Sequence, residues 1–216
     1  MQTIYVFSGL GTDHRVFERI DLSGFNIVHV KWLVPRQEEA FESYVFRLAD
    51  HYNIPKQGAI VMGVSFGGIC ISELSKYYDF SKTILISSAK TRDELPKLLS
   101  VSKFLSLHKF LPAAANSKAS LKIAHWLFGV DQVEDKALLD QILKDTSPDF
   151  LRWAIDKIVN WENKTVPVNC LHIHGDKDHI IPIQHVDYTI RIRGGGHFMI
   201  WTKAAEISFS IRNFLL

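Results

Sequence analysis

Short, continuously apolar runs alternate with segments of helical spacing at both ends of the chain, and the alternation stops in the middle. Ile4–Phe7, Phe25–Trp32, Ala59–Val64 and Thr83–Ser87 read as strands covered on both faces. Between them, Asp13 can cap a short helix through about Ile20. Glu38–Tyr52 places Phe41, Val45, Leu48 and Ala49 on one helical face, and Phe66–Tyr78 does the same with Ile69, Cys70, Leu74 and Tyr77. From Thr91 to about Asn160 nothing reads as a buried strand. Helical stripes run instead over Leu95–Phe110, Lys118–Phe128, Glu134–Lys144 and Asp149–Trp161, punctuated by Asn116, Gly129 and Pro148. The strand pattern resumes at Val168–His174 and Tyr188–Ile192, and Thr202–Leu216 closes the chain as a helix. The pattern predicts an α/β fold: a mostly parallel sheet of about six strands flanked by helices. Residues 1–90 and 161–216 form its core, and 91–160 form a helical insert.

In parallel sheets, sites form in the loops at the carboxyl ends of strands, so loops distant in sequence converge there. Four such loops carry chemistry. Gly9-Leu10 follows the first strand. Gly63-Val64-Ser65-Phe66-Gly67 joins a buried strand to a helix and fits a nucleophile elbow, with a serine lifted out of the sheet between small residues. The loop after the fifth strand reads Gly175-Asp176-Lys177-Asp178-His179, and the loop after the last reads Gly194-Gly195-Gly196-His197. A serine hydroxyl needs a base to take its proton as it attacks, and that base needs an orienting carboxylate. His197 is the candidate base. Both aspartates are candidates for the acid. Asp178 is favoured because it lies deeper in the loop, whereas Asp176 sits in the tight turn, where it is expected to bond its own backbone.

The segments GVSFGG, HGDKDHIIP and GGGHF, behind an early glycine turn, resemble the α/β-hydrolase family in content and order, which is nucleophile, acid, histidine. The resemblance spans nearly the whole chain. It implies a minimal α/β-hydrolase fold with Ser65 as nucleophile, Asp178 as acid and His197 as base. It also implies an oxyanion hole from the backbone amides of Leu10 and Phe66, and a cap formed by 91–160. Three departures stand out. Met1-Gln2-Thr3 leads straight into the strand before the oxyanion turn, so a sheet without the family's first two strands is expected; the early turn is Ser8-Gly9-Leu10-Gly11 where many relatives have His-Gly, and the stretch from Pro182 to Tyr188 has hardly room for a crossover helix. The long Asp178 loop must then carry most of that connection.

Composition narrows the picture further. A net charge of +2 over 216 residues gives no footprint for nucleic acid, and no run approaches the length of a membrane span. Lys97, Lys103, Lys109, Lys118 and Lys122 read as a solvated face. The start of the chain has no signal-peptide pattern, and Cys70 and Cys170 read as buried free thiols, so a cytoplasmic setting is expected. The run His172-x-His174-x-Asp176-x-Asp178-His179 is similar to the zinc motif of metallo-β-lactamase-like hydrolases, but Lys177 stands where a histidine ligand is required. The two histidines are expected to be core residues, and no metal or cofactor is implied. Phe104, Leu107, Trp126, Leu127, Phe128 and Trp153 are candidates for an apolar acyl pocket or for the insert's own core.

The leading expectation is a hydrolase acting on a small-molecule ester, thioester or related acyl compound. The same triad can serve acyl transfer or a lyase reaction, and a ligand-binding module can retain it. Activity is expected to survive excess chelator unchanged, which an assay with and without EDTA checks.

Overall fold

The computed structural model describes residues 1–96 and 118–216. Six strands form one all-parallel sheet: β1 (Thr3–Phe7), β2 (Asn26–Val30), β3 (Ile60–Val64), β4 (Lys82–Ile86), β5 (Cys170–Gly175) and β6 (Ile190–Ile192). Their order is β2-β1-β3-β4-β5-β6. The chain steps one way from β1 to β2 and the other way from β1 to β3, so the order reverses between β1 and β3. Crevices at such a reversal are where α/β sheets bind ligands. Register aligns the carboxyl ends at one edge, with Phe7 opposite both Val30 and Gly63, Val64 opposite Ile86, and Gly175 opposite Ile192.

The helices are α1 (Phe41–His51), α2 (Phe66–Leu74), α3 (Lys118–Phe128), α4 (Val133–Asp145), α5 (Pro148–Val159), α6 (Met199–Thr202) and α7 (Ala204–Leu215). Single 3₁₀ turns lie at His14–Phe17, Arg92–Glu94 and Ile183–His185. Asp13 caps the first of them, accepting from the Arg15 amide at 3.0 Å. Ser147 caps α5 by accepting from the Phe150 amide, and Pro148 occupies the first turn, where its missing N–H costs nothing.

Most predicted elements are present, and the differences have physical causes. β2 stops at Val30 rather than Trp32; it is an edge strand, only partly covered, and the chain leaves it in an extended loop. α2 is not amphipathic, because every residue from Phe66 to Leu74 is buried, Ser72 and Glu73 included. Glu73 is tolerated because Lys76 Nζ donates to it at 2.6 Å and Trp161 Nε1 at 2.8 Å. Tyr77 lies beyond that helix and is half exposed. The closing helix is two helices meeting at Lys203. Leu95 and Pro96 are not helical, and the rest of the stripe predicted for Leu95–Phe110 lies outside the described residues, as do Lys97, Lys103 and Lys109. Lys122 is exposed. Cys70 is buried as expected, but Cys170, at the first position of β5, is only partly covered; both are free. As expected from its sequence, the link from β5 to β6 contains no α-helix, only the turn at Ile183–His185.

The middle segment leaves and rejoins the core at one place. The Arg92 amide donates to the Asn163 carbonyl at 2.8 Å, and buried Asn163 donates from Nδ2 to the Lys90 carbonyl at 3.1 Å. Among the described residues no helix is long and apolar enough to cross a membrane.

The tightest packing lies under the β3–α2 turn. A Cβ on Gly63 would stand 2.5 Å from the Gly68 nitrogen and 2.6 Å from the Gly67 carbonyl carbon, both backbone atoms of α2. Gly63→Ala is therefore expected to cost about 1–3 kcal/mol or more. In a chain of this size that lowers Tm by roughly 2–4 °C per kcal/mol, which thermal denaturation followed by circular dichroism measures.

Candidate active site

Ser65 sits between β3 and α2 at φ 49°, ψ −117°, a left-handed backbone that a non-glycine residue adopts only when its surroundings dictate it. The surroundings do. Its amide donates to the Ile86 carbonyl at 3.0 Å, and its carbonyl accepts from the amides of Gly68 and Ile69 and from Ser88 Oγ at 2.7 Å. Gly67 and Gly68 complete the support: a Cβ on the first would strike the Phe7 and Ser8 carbonyls, and on the second the Ser88 side chain.

His197 and Asp178 arrive from the ends of β6 and β5. Ser65 Oγ lies 2.9 Å from His197 Nε2, and His197 Nδ1 lies 2.7 Å from Asp178 Oδ2. The other carboxylate oxygen, Oδ1, accepts from the amides of Ile180 at 2.9 Å and Ile181 at 2.8 Å. An ionised carboxylate only accepts, so the imidazole proton is on Nδ1 and the Nε2 lone pair faces the serine hydroxyl. Asp178 and His197 are both buried.

The sequence-level choice between the aspartates has a structural counterpart. Asp176 takes no part in this series. It accepts from the Gly194 amide at 2.7 Å and from Arg191 Nη2 at 2.7 Å, tying the β5 turn to the glycine turn that carries His197. Its partner is thus a neighbouring loop rather than its own turn. The Arg191 guanidinium holds the Asp176 carboxyl below the usual range.

The turn after β1 is held by Ser8 Oγ donating to the Thr12 carbonyl at 2.9 Å, and by the Thr12 amide and hydroxyl donating to the Gly9 carbonyl. Gly9 lies against the elbow, with its Cβ position 3.4 Å from Ser65 Cβ. Among the described residues neither the Leu10 nor the Phe66 amide donates to a protein acceptor.

A cavity of about 50 Å³ adjoins Ser65 and His197, walled mainly by Leu10, Val64, Phe128, Ile158, Ile180 and Ile200. A larger cleft of about 580 Å³ shares Thr12 as a lining residue; Trp32, Pro35, Ile142, Phe150 and Trp153 also line it. Of the apolar candidates between residues 91 and 160, Phe128 lines the cavity beside Ser65, with its ring edge-on 5.7 Å from His197. Trp153 lines the cleft and packs on Tyr44 at 4.3 Å. Trp126 is exposed and stacks on His179, Leu127 packs against the core, and Phe104 and Leu107 lie outside the described residues. The end of α3 also touches the histidine loop through its backbone. The Phe198 amide donates to the Phe128 carbonyl at 2.9 Å, and a Cβ on Gly129 would stand 2.8 Å from Gly196 Cα.

His172 and His174 are fully buried on β5, with Nε2 atoms 3.1 Å from the Ser88 carbonyl and 2.8 Å from the Ile181 carbonyl respectively. Among the described residues no three His, Cys, Asp or Glu side chains are placed to share a metal ion. Sequence reasoning classed His174 as core and missed that its Nε2 lies 3.5 Å from Asp178 Oδ2. It also missed Ser88, Ile158 and Thr12, for which the sequence carries no motif.

No protein-family model and no curated protein matches the sequence. Solved structures do match the fold. An esterase from Exiguobacterium antarcticum superposes with a TM-score of 0.77 at 13% identity, over 99% of this chain and 91% of that one. A thermophilic esterase from Thermogutta terrifontis gives 0.74 at 13% identity, over 100% and 89%. MenH from S. aureus gives 0.71 at 17% identity, over 99% and 93%. The chain has the α/β-hydrolase fold.

Burial pushes His172 down to about 3, so the ring is neutral in the fold and takes up a proton more readily when unfolded. Between about 6.5 and about 3 the unfolded chain binds the extra proton, so stability falls as pH falls through that window, by at most about 1.4 kcal/mol per pH unit for this group. Urea midpoints taken between pH 7.5 and 4.5 are expected to decline less steeply for His172→Gln than for the native chain.

Proposed function

We propose that the chain is a serine hydrolase that cleaves a small-molecule ester, thioester or related acyl compound through an acyl-serine intermediate. The observation that carries this reading is the hydrogen-bonded series Ser65–His197–Asp178 with its serine on a strained elbow. The esterase fold neighbours support the hydrolytic class.

In this reading Ser65 Oγ attacks the substrate carbonyl carbon as its proton passes to His197 Nε2. The oxygen that gains charge is met by the Leu10 and Phe66 amides, which have no other protein acceptor among the described residues. The Phe66 amide also opens a helix, where unsatisfied N–H groups favour an anion. A missing oxyanion donor typically costs about 10²–10³ in rate. The tetrahedral centre collapses, the carbonyl re-forms, and His197 gives its proton to the departing alkoxide or thiolate. Water then attacks the acyl-serine with the same base, releasing the acid and restoring the Ser65 hydroxyl. Asp178 keeps the imidazole in the Nδ1–H form and offsets the charge that forms on it. Residues 91–160 act as a cap over 1–90 and 161–216, with Phe128 and Ile158 walling the acyl side. The aromatic cleft beyond Thr12 admits the rest of the substrate.

A fluorophosphonate probe is expected to label the native chain at Ser65. Ser65→Ala should abolish labelling and lower kcat/KM on p-nitrophenyl and thioester substrates by about 10⁴-fold or more. Asp178→Asn should lower kcat by about 10⁴-fold. Acid release, followed by pH-stat, separates hydrolysis from acyl transfer and lyase chemistry. Undiminished turnover in Ser65→Ala, or labelling with no acid released from any substrate, overturns the proposal.

A further inference from the structure

Two buried imidazoles are left over once Ser65, His197 and Asp178 are connected. His172 and His174 alternate on β5 with their rings 5.5 Å apart. Each Nε2 faces a backbone carbonyl, which can only accept, so each ring carries its proton on Nε2. Among the described residues both Nδ1 atoms are buried without a partner. A strand covered on both faces is ordinarily filled by Val, Ile or Leu, and an imidazole with an unmade hydrogen bond is a more costly filling. Something must offset that cost.

The two rings differ in what they hold. His172 is bonded to the Ser88 carbonyl beyond β4. His174 donates to the Ile181 carbonyl at 2.8 Å, and the amide of that same Ile181 donates to Asp178 Oδ1 at 2.8 Å. Its Nε2 also stands 3.5 Å from Asp178 Oδ2, the oxygen that receives His197 Nδ1 at 2.7 Å. The ring therefore lies beneath the carboxylate and ties down the far end of the loop that aims it. The titratable groups around it are Asp178 in that loop, His197 after β6 and His172 on its own strand. Burial keeps it neutral, so it remains an N–H donor rather than a second cation competing for Asp178.

We propose that His174 is a positioning residue: its neutral imidazole fixes residues 178–181 so that Asp178 Oδ2 meets His197 Nδ1. This rests on the reading of Ser65, His197 and Asp178 as the working triad. A loop released from His174 would lengthen the Asp178–His197 bond, and a misplacement of that kind costs rate rather than substrate affinity.

The test compares Ser65→Ala, His174→Leu, His174→Gln and His172→Leu on a p-nitrophenyl ester, with Tm measured for each. His174→Leu is expected to lower kcat by about 10- to 100-fold with KM changed less than about threefold. The acid limb of its kcat/KM profile should move to lower pH, because a weaker bond to Asp178 stabilises the imidazolium less. In His174→Gln the side-chain amide reaches the Nε2 position, and kcat should return to within about fivefold of native. His172→Leu removes an equally buried ring and serves as the packing control: Tm should fall, with kcat within about threefold and the acid limb unmoved. Native kcat and pH profile in His174→Leu overturn the proposal. So does equal loss of kcat in both leucine variants, or a glutamine variant no better than the leucine one. An inactive Ser65→Ala beside a fully active His174→Leu overturns this proposal alone, whereas an active Ser65→Ala overturns the triad reading and this proposal with it.

Discussion

A serine backbone at φ 49° is disfavoured, and much of the core is arranged so that nothing else can happen at position 65. α2 is driven so close to β1 and β3 that glycine alone fits at 63 and 67. The Ser65 carbonyl takes three donors, two from the first turn of α2 and one from Ser88. Those contacts explain why α2 is buried on every side and why a charged Glu73 inside it has to be matched by Lys76 and Trp161. Local strain and global packing are thus one arrangement. The sheet order reverses beside the strained residue, and the crevice it leaves is the one into which His197 projects.

The carboxylate is organised differently. Asp178 is not strained but enclosed, and among the described residues its donors are the Ile180 and Ile181 amides of its own loop and the His197 imidazole, with His174 Nε2 3.5 Å away. Asp176, two residues earlier, meets Arg191 and Gly194 near the surface. Neighbouring aspartates in one loop therefore divide the work, one holding two loops together and the other facing the imidazole.

The fold was legible because strands covered on both faces leave largely apolar runs; β1, β3 and β4 are such strands, and β5 keeps the pattern with two histidines inside it. β2 and β6 were harder to bound, since an edge strand and a three-residue strand leave little periodicity. α2 was misjudged as amphipathic because a helix enclosed on all sides keeps small polar residues such as Ser72, which donates to the Ala89 carbonyl. At the site, Ser65, Asp178 and His197 stood in motifs, and motifs exist because glycine neighbours are sterically required. Phe128 stood among the apolar candidates of the sequence, whereas Ile158 and Ser88 reach the same place from elements with no motif, by packing alone, and packing between distant segments leaves no local mark. His174 was read as a core residue, which it is, but its place beside Asp178 was not legible, since alternation on a strand tells which face a side chain takes and not which loop lies over it.

The contact between Gly129 and Gly196 has a mechanical meaning. The Phe198 amide is bonded to the Phe128 carbonyl, so the end of α3 is attached by main chain to the residues on either side of His197. A displacement of α3 away from the sheet would break that bond and remove one of the ties on the loop that holds the imidazole, the Asp176–Gly194 bond being another. The imidazole's alignment with Ser65 is then a gauge of whether α3 is seated. The order of the histidine loop is thereby linked to the seating of a helix some seventy residues earlier in the chain, through main-chain atoms alone.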